Sequence, residues 1–71
     1  MKRTIMAKFD CFMASAELSN IRFEDSDQEF YLVTTWTRVG DAALSSNLNV
    51  SQFVSEHDAK TSFSKFVKNY I

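Results

Sequence analysis

Proline is absent from this 71-residue chain, and glycine, cysteine and histidine each occur once. The lone Gly40 cannot form a glycine-rich phosphate loop, because such loops need several glycines at fixed spacing. With only His57 and Cys11, the chain has neither the paired His or Cys ligands of a typical metal site nor a nucleophile beside a histidine base. We therefore predict no catalytic residues, no metal site and no cofactor, and a protein that is not an enzyme.

The single Cys11 also excludes an internal disulfide, and its aromatic neighbourhood predicts that it is a buried apolar residue. No apolar run approaches the roughly 18 residues of a membrane span, and Lys8 and Asp10 interrupt the start before it could act as a signal peptide. We predict a soluble, cytoplasmic protein without membrane contact. The length of 71 residues, 45% of them hydrophobic, predicts one domain over residues 1–71 with its own core.

Charge is small in total but unevenly distributed. The formal net charge is -1, so a surface that binds an anion would have to be local. Four carboxylates cluster in the middle of the chain. This cluster, called the acidic segment below, consists of Glu24, Asp25, Asp27 and Glu29. It lacks the glycine and the final glutamate of a calcium-binding loop, and we predict that it contacts a protein partner by mimicking nucleic acid.

Apolar residues recur at helical spacing near the start of the chain, and strict alternation is absent there. They are Ile5, Phe9, Phe12, Met13 and Ala16. We therefore predict a helix from Thr4 to Leu18, with Thr4 as its N-cap and Ser19-Asn20 as its end.

Strand patterns occupy the middle of the chain. Ile21–Phe23 predicts a short strand, Glu24–Gln28 a polar turn, and Phe30–Val39 a strand rich in residues that suit a pleated surface. Gly40 predicts a turn, and the apolar residues of Leu44–Val54 predict a third strand.

A closing helix is predicted after Ser55, whose hydroxyl can cap the first free N–H groups. His57, in its first turn, is predicted to be structural or exposed. The apolar face of this helix comprises Ala59, Phe63, Phe66, Val67 and Tyr70. The elements together predict an α+β fold in the order α-β-β-β-α, with a three-stranded antiparallel sheet packed against N- and C-terminal helices.

Trp36 and Arg38 are the most distinctive pair of residues. On a strand they project from the same face, so a flat aromatic ring and a planar cation lie side by side. Such a pair suits stacking on a base or sugar with a charge-assisted contact to phosphate. The alternative is that Trp36 packs against the closing helix while Arg38 extends to pair with an acid of the central turn.

The run Trp36-Thr37-Arg38-Val39-Gly40 resembles the Trp-Gly-Arg signature, followed by Val-Gly, of the WGR domain. The similarity covers roughly residues 29–70. Further along, residues at similar spacing strengthen it: Phe53, Ser55, Ala59, Phe63 and Phe66. The family has an antiparallel sheet packed on a helix, and in poly(ADP-ribose) polymerases it helps to grip DNA ends. The resemblance implies that Trp36 and Arg38 contact nucleic acid, and that Lys65 and Lys68 make weaker backbone contacts.

The predicted element order also resembles that of a double-stranded-RNA-binding domain. Such domains place basic residues at the start of their last helix, whereas this chain has Glu56, His57 and Asp58 there. Phosphates would be repelled at that position, which counts against this version.

Two functions follow from these patterns. The first is a small regulator or inhibitor of phage or prophage type that binds a host protein without catalysis. The alternative is a WGR-like domain that binds DNA or RNA ends. The partner is thus another protein or a nucleic acid, and the chain is also a possible homo-oligomer through a strand edge or an aromatic patch.

Overall fold

The computed structural model describes residues 1–38 and 46–71. The described elements are four strands and a helix: β1 (Lys2–Asp10), β2 (Ala14–Arg22), β3 (Glu29–Arg38), β4 (Ser46–Phe53) and α1 (Glu56–Lys68). The strands form one antiparallel sheet in the order β1-β2-β3-β4. The helix α1 packs on one face of this sheet. The opposite face is called the helix-free face below.

The core lies between α1 and the two central strands. Leu18 on β2 and Val33 on β3 are paired neighbours, and each is only 2% exposed. Tyr31 and Ala59 complete the buried cluster. Ala59 is fully buried on the helix, and its small side chain lets the helix backbone approach the sheet closely. Burial of this apolar surface is the main force that holds the two layers together.

The predicted N-terminal helix is wrong, and the fold is therefore not α-β-β-β-α with a three-stranded sheet. Residues of the predicted helix form most of β1, the following turn and the first part of β2. The register of β1 shifts between Ile5 and Ala7, which is a β-bulge or irregularity. A bulge inserts an extra residue, so side chains on either side of it change faces. As a result Ile5 lies on the helix-free face and Phe9 on the helix side, although their spacing of four suggested one helical stripe.

The remaining elements agree more closely with the sequence patterns. The polar turn at Glu24–Gln28 connects β2 and β3, and the strongest predicted strand matches β3 within one residue at its start. Ile21 and Arg22 end β2 instead of opening a separate strand. The third predicted strand overlaps β4, while its first two residues, Leu44 and Ser45, and the predicted turn at Gly40 lie outside the described residues. Without an N-terminal helix, the likeness in element order to a double-stranded-RNA-binding domain no longer holds.

The closing helix begins as predicted. Ser55 is extended at the N-cap, and its hydroxyl accepts a hydrogen bond from the Asp58 backbone N–H at 3.4 Å. Acidic side chains in the first turn and Lys65 and Lys68 in the last turn complement the helix dipole. No helix among the described residues is long and apolar enough to cross a membrane.

Candidate functional site

Trp36 and Arg38 lie near the end of β3 on the helix-free face. Trp36 is paired with Ser15 on β2 and with Leu48 on β4, and none of these three belongs to the face that contacts α1. The indole is half-buried in a shallow depression between these strands. The prediction that the two residues share a face is confirmed, but the alternative in which Trp36 packs against the closing helix is wrong.

Phe12, in the turn between β1 and β2, completes a cluster with these two residues. The guanidinium carbon of Arg38 lies 4.3 Å from the centroid of the Phe12 ring and 6.0 Å from that of Trp36. The backbone N–H of Arg38 donates to the carbonyl of Met13 at 2.9 Å, which ties this turn to the end of β3. Phe12, Trp36 and Arg38 are called the Trp36–Arg38 cluster below.

The arrangement of the cluster suits recognition of a flat group next to an anion. Phe12 is 75% exposed, so its ring remains largely accessible beside the cation. A cation over an aromatic ring is stabilised by about 0.5 to 1 kcal/mol at exposed sites, which favours the stacked orientation of the guanidinium. The Nε atom of Arg38 is buried and has no hydrogen-bond partner within residues 1–38 and 46–71. Among the described residues, the guanidinium lies against the rings of Phe12 and Trp36, and it is not paired with the acidic segment.

Lys65 and Lys68 lie on α1, on the other layer of the molecule. The structure therefore does not bring the four predicted nucleic-acid residues onto one surface. The C-terminal end of α1 nevertheless lies near the end of the sheet that carries Trp36, because the ring centroids of Tyr70 and Phe9 are 6.4 Å apart. Phe9 is paired with Ala16, one residue from the partner of Trp36. A ligand large enough to span both layers could contact both groups.

The acidic segment lies at the opposite end of the β2-β3 hairpin. Glu29 begins β3 and Arg38 ends it, so they are separated by about 30 Å at the usual rise of a strand. Glu29 pairs with Arg22 at 3.1 Å and accepts a hydrogen bond from Asn20 at 3.3 Å. The side chains of Glu24, Asp25 and Asp27 are exposed in and beside the turn. The two candidate surfaces of the sequence are thus far apart.

Two further side chains with reactive groups, Tyr31 in the core and Cys11 in the turn between β1 and β2, are not part of the Trp36–Arg38 cluster. Burial raises the pKa of the Tyr31 phenol, and the nearby carboxylates of Glu29 and Glu56 raise it further. Cys11 is exposed in the turn between β1 and β2, and the prediction that it is buried is wrong because that turn is not part of a packed helix. In the described part of the chain, no group of His, Cys, Asp or Glu side chains is placed to hold a metal ion.

The sequence pattern does not single out Phe12, because its spacing places it on the stripe of the predicted N-terminal helix. The exposed aromatic residue in a short turn left no signal of its own in the spacing. The alternation along β3 does not show which of its faces is buried. Tyr31 and Val33 pack with Ala59 of α1, so their face is the buried one.

Comparisons with known proteins found no protein-family model, no curated protein and no solved structure that matches this chain.

Proposed function

We propose that this chain is a WGR-like binding protein that contacts the ends of DNA or RNA through Trp36 and Arg38. The observation that carries the proposal is the Trp36–Arg38 cluster on the helix-free face. In it, the guanidinium carbon of Arg38 lies 4.3 Å from the centroid of the Phe12 ring and beside the indole of Trp36. An unpaired terminal base offers a flat aromatic surface on which the indole can stack. Its phosphate offers acceptors for the guanidinium.

The acidic segment lies at the far end of the sheet from the Trp36–Arg38 cluster, while Lys8, Asp10 and Glu17 line the depression beside Trp36, and Glu17 is paired with Arg3. A nucleic acid can bind only if the acidic segment stays away from it, and that segment lies about 30 Å from Arg38. Charges are screened over about 8 Å at physiological ionic strength, so repulsion from the far end is weak. Lys65 and Lys68 are exposed near the helix end that reaches Phe9, and they add positive charge to the proposed binding end.

The resemblance to the WGR domain points the same way. It implied an antiparallel sheet packed on a helix, with the signature Trp and Arg near the nucleic acid. Here Trp36 and Arg38 lie on an antiparallel sheet that is packed on a helix. The chain opens with the strand β1 and not with the helix that the sequence pattern predicts. The signature departs from the family in the residue between them, where Thr37 replaces glycine. A cytoplasmic location fits this function.

The proposal predicts binding that weakens steeply with salt. If Arg38, Lys65 and Lys68 each neutralise one phosphate, the logarithm of affinity for duplex DNA should fall with the logarithm of salt with a slope of about -2.7. This corresponds to a loss of about 40-fold between 50 and 200 mM salt. Fluorescence anisotropy of labelled blunt duplexes and of single strands would measure both affinity and slope.

A covalently closed circular DNA is the matched competitor for this experiment, because it offers the same phosphates without ends. We expect it to compete much less well than a linear DNA of the same sequence and concentration. If circular and linear DNA competed equally well, recognition of ends would be rejected. The absence of binding to every linear or single-stranded probe at low salt would reject the function altogether.

A second candidate function is the regulator or inhibitor of phage or prophage type that binds a host protein. It is favoured by the exposed turn of the acidic segment, where Glu24, Asp25 and Asp27 project at one end of the molecule. Spaced carboxylates on a tight turn are what a partial mimic of a phosphate backbone would present to a nucleic-acid-binding protein.

This candidate makes a prediction that the first does not. Immobilised wild-type chain should capture one stoichiometric partner from host lysate, and added DNA should displace that partner. A chain carrying Asp25→Asn and Asp27→Asn should lose the partner because the charge complementarity is removed. Capture that survives both the substitutions and the DNA would speak against mimicry.

A further inference from the structure

The strand β4 forms one edge of the sheet and is unusually open for an edge strand. Residues 46–53 read Ser-Asn-Leu-Asn-Val-Ser-Gln-Phe, with neither a charge nor a proline. Its pairing with β3 runs without a register shift from Ser46 to Phe53. No strand among the described residues pairs with its outer side. A long, regular and uncharged edge offers its free N–H and C=O groups to another strand.

The other edge of the sheet shows how this chain protects a strand. β1 carries Lys2, Arg3 and Lys8, and its register with β2 shifts between Ile5 and Ala7. Charged side chains and bulges both oppose the addition of a further strand. The contrast within one sheet indicates that β4, unlike β1, is available for pairing.

We propose that β4 pairs antiparallel with β4 of a second copy of this chain, centred on Asn49, so that two sheets join into one of eight strands. Cross-strand partners must point to the same face, and a two-fold axis at Asn49 satisfies this rule. In this register Leu48 of each copy lies opposite Val50 of the other. Asn49 lies opposite Asn49, and Asn47 opposite Ser51.

The side chains of β4 favour a second copy as the occupant. Leu48 is 67% exposed and Val50 is 58% exposed, and both lie on the helix-free face. In the proposed register, the four side chains, Leu48 and Val50 of each copy, form one contiguous apolar group and cover each other. The strand has no charge that would repel itself, so self-pairing meets no electrostatic opposition. Asn49 of each copy can exchange amide hydrogen bonds on the helix side.

The register can be tested by cysteine crosslinking of the full chain in a Cys11→Ser background. Opposite residues of an antiparallel pair have Cα atoms about 4.5 to 5.5 Å apart, which suits a disulfide. We therefore expect Asn49→Cys to form a crosslinked dimer under mild oxidation. Ser51→Cys is the matched control, because its two copies would lie about 14 Å apart, four residues out of register. Its crosslinking should be slower by roughly tenfold or more, as expected without enforced proximity.

Sedimentation equilibrium of the wild-type chain provides an independent readout that needs no substitution. We expect the mass to rise from one chain to two with concentration, and Val50→Lys to remain at one chain. Ile5→Lys, which adds the same charge to an exposed apolar site on the helix-free face of β1, should still dimerise. A wild-type chain that stays monomeric up to about 1 mM, or equal crosslinking at positions 49 and 51, would overturn the proposal.

Discussion

Leu18→Ala should lower the free energy of unfolding by about 3 to 5 kcal/mol, the range measured when a fully buried leucine is truncated. Leu18 is 2% exposed and lies in the cluster with Tyr31, Val33 and Ala59. Its truncation would therefore leave a cavity bounded by residues of both the sheet and α1. A domain of this length has a total stability at the low end of about 5 to 15 kcal/mol. The variant should therefore lose most of its cooperative unfolding transition in urea.

Leu48→Ala is the matched control, since it removes the same atoms from a side chain that is 67% exposed. Its effect should stay within about 0.5 kcal/mol when both proteins are compared at low concentration, where self-association does not contribute. If both leucines had equal effects, the assignment of residues 14–22 to a central strand beneath α1 would be contradicted. The predicted N-terminal helix, in contrast, would have placed Leu18 at its frayed end.

Trp36→Ala should weaken binding of linear DNA or RNA by about 5- to 150-fold. Stacking of one base on an aromatic side chain contributes about 1 to 3 kcal/mol, and about 1.4 kcal/mol corresponds to one factor of ten. Arg38→Gln should act differently, because it removes a phosphate contact: affinity should fall and the salt slope should become shallower by about one. Anisotropy titrations at several salt concentrations separate the two effects.

Arg22→Gln is the control for the arginine. Arg22 pairs with Glu29 at 3.1 Å, at the end of the β2-β3 hairpin that carries the acidic segment. Since that end lies about 30 Å from Arg38, the substitution should leave affinity and salt slope nearly unchanged. If Arg22→Gln weakened binding as much as Arg38→Gln, the attraction would come from overall charge and not from the Trp36–Arg38 cluster. Circular dichroism of each variant would establish that the fold is retained.

Local sequence patterns correctly predict the elements that are favoured by their own residues. β3 is dense in β-branched and aromatic residues, and α1 has a capping serine, an apolar stripe and late lysines. The first two strands lack such signals. β2 contains Ala14 and Ala16, which favour helices over strands, and the irregularity near Met6 disrupts the alternation of β1. Their strand form depends on pairing with β3, which is a tertiary effect.

The candidate site was predictable only where strand geometry defines it. Alternation along β3 correctly placed Trp36 and Arg38 on one face, because side chains two residues apart point the same way. The contribution of Phe12 depends on where the turn between β1 and β2 ends, and no sequence spacing encodes that. The separation of Lys65 from Trp36 by the thickness of the sheet likewise follows from the layer to which α1 belongs.

The most direct measurement of the proposed function uses the intrinsic fluorescence of Trp36, the one tryptophan in the chain. A linear duplex should be titrated into the wild-type protein at low salt, and salt should then be added. If the indole stacks on the nucleic-acid end, its emission should be quenched with the duplex and recover as salt dissociates the complex. An emission spectrum that stays unchanged at saturating duplex in low salt would contradict binding through Trp36.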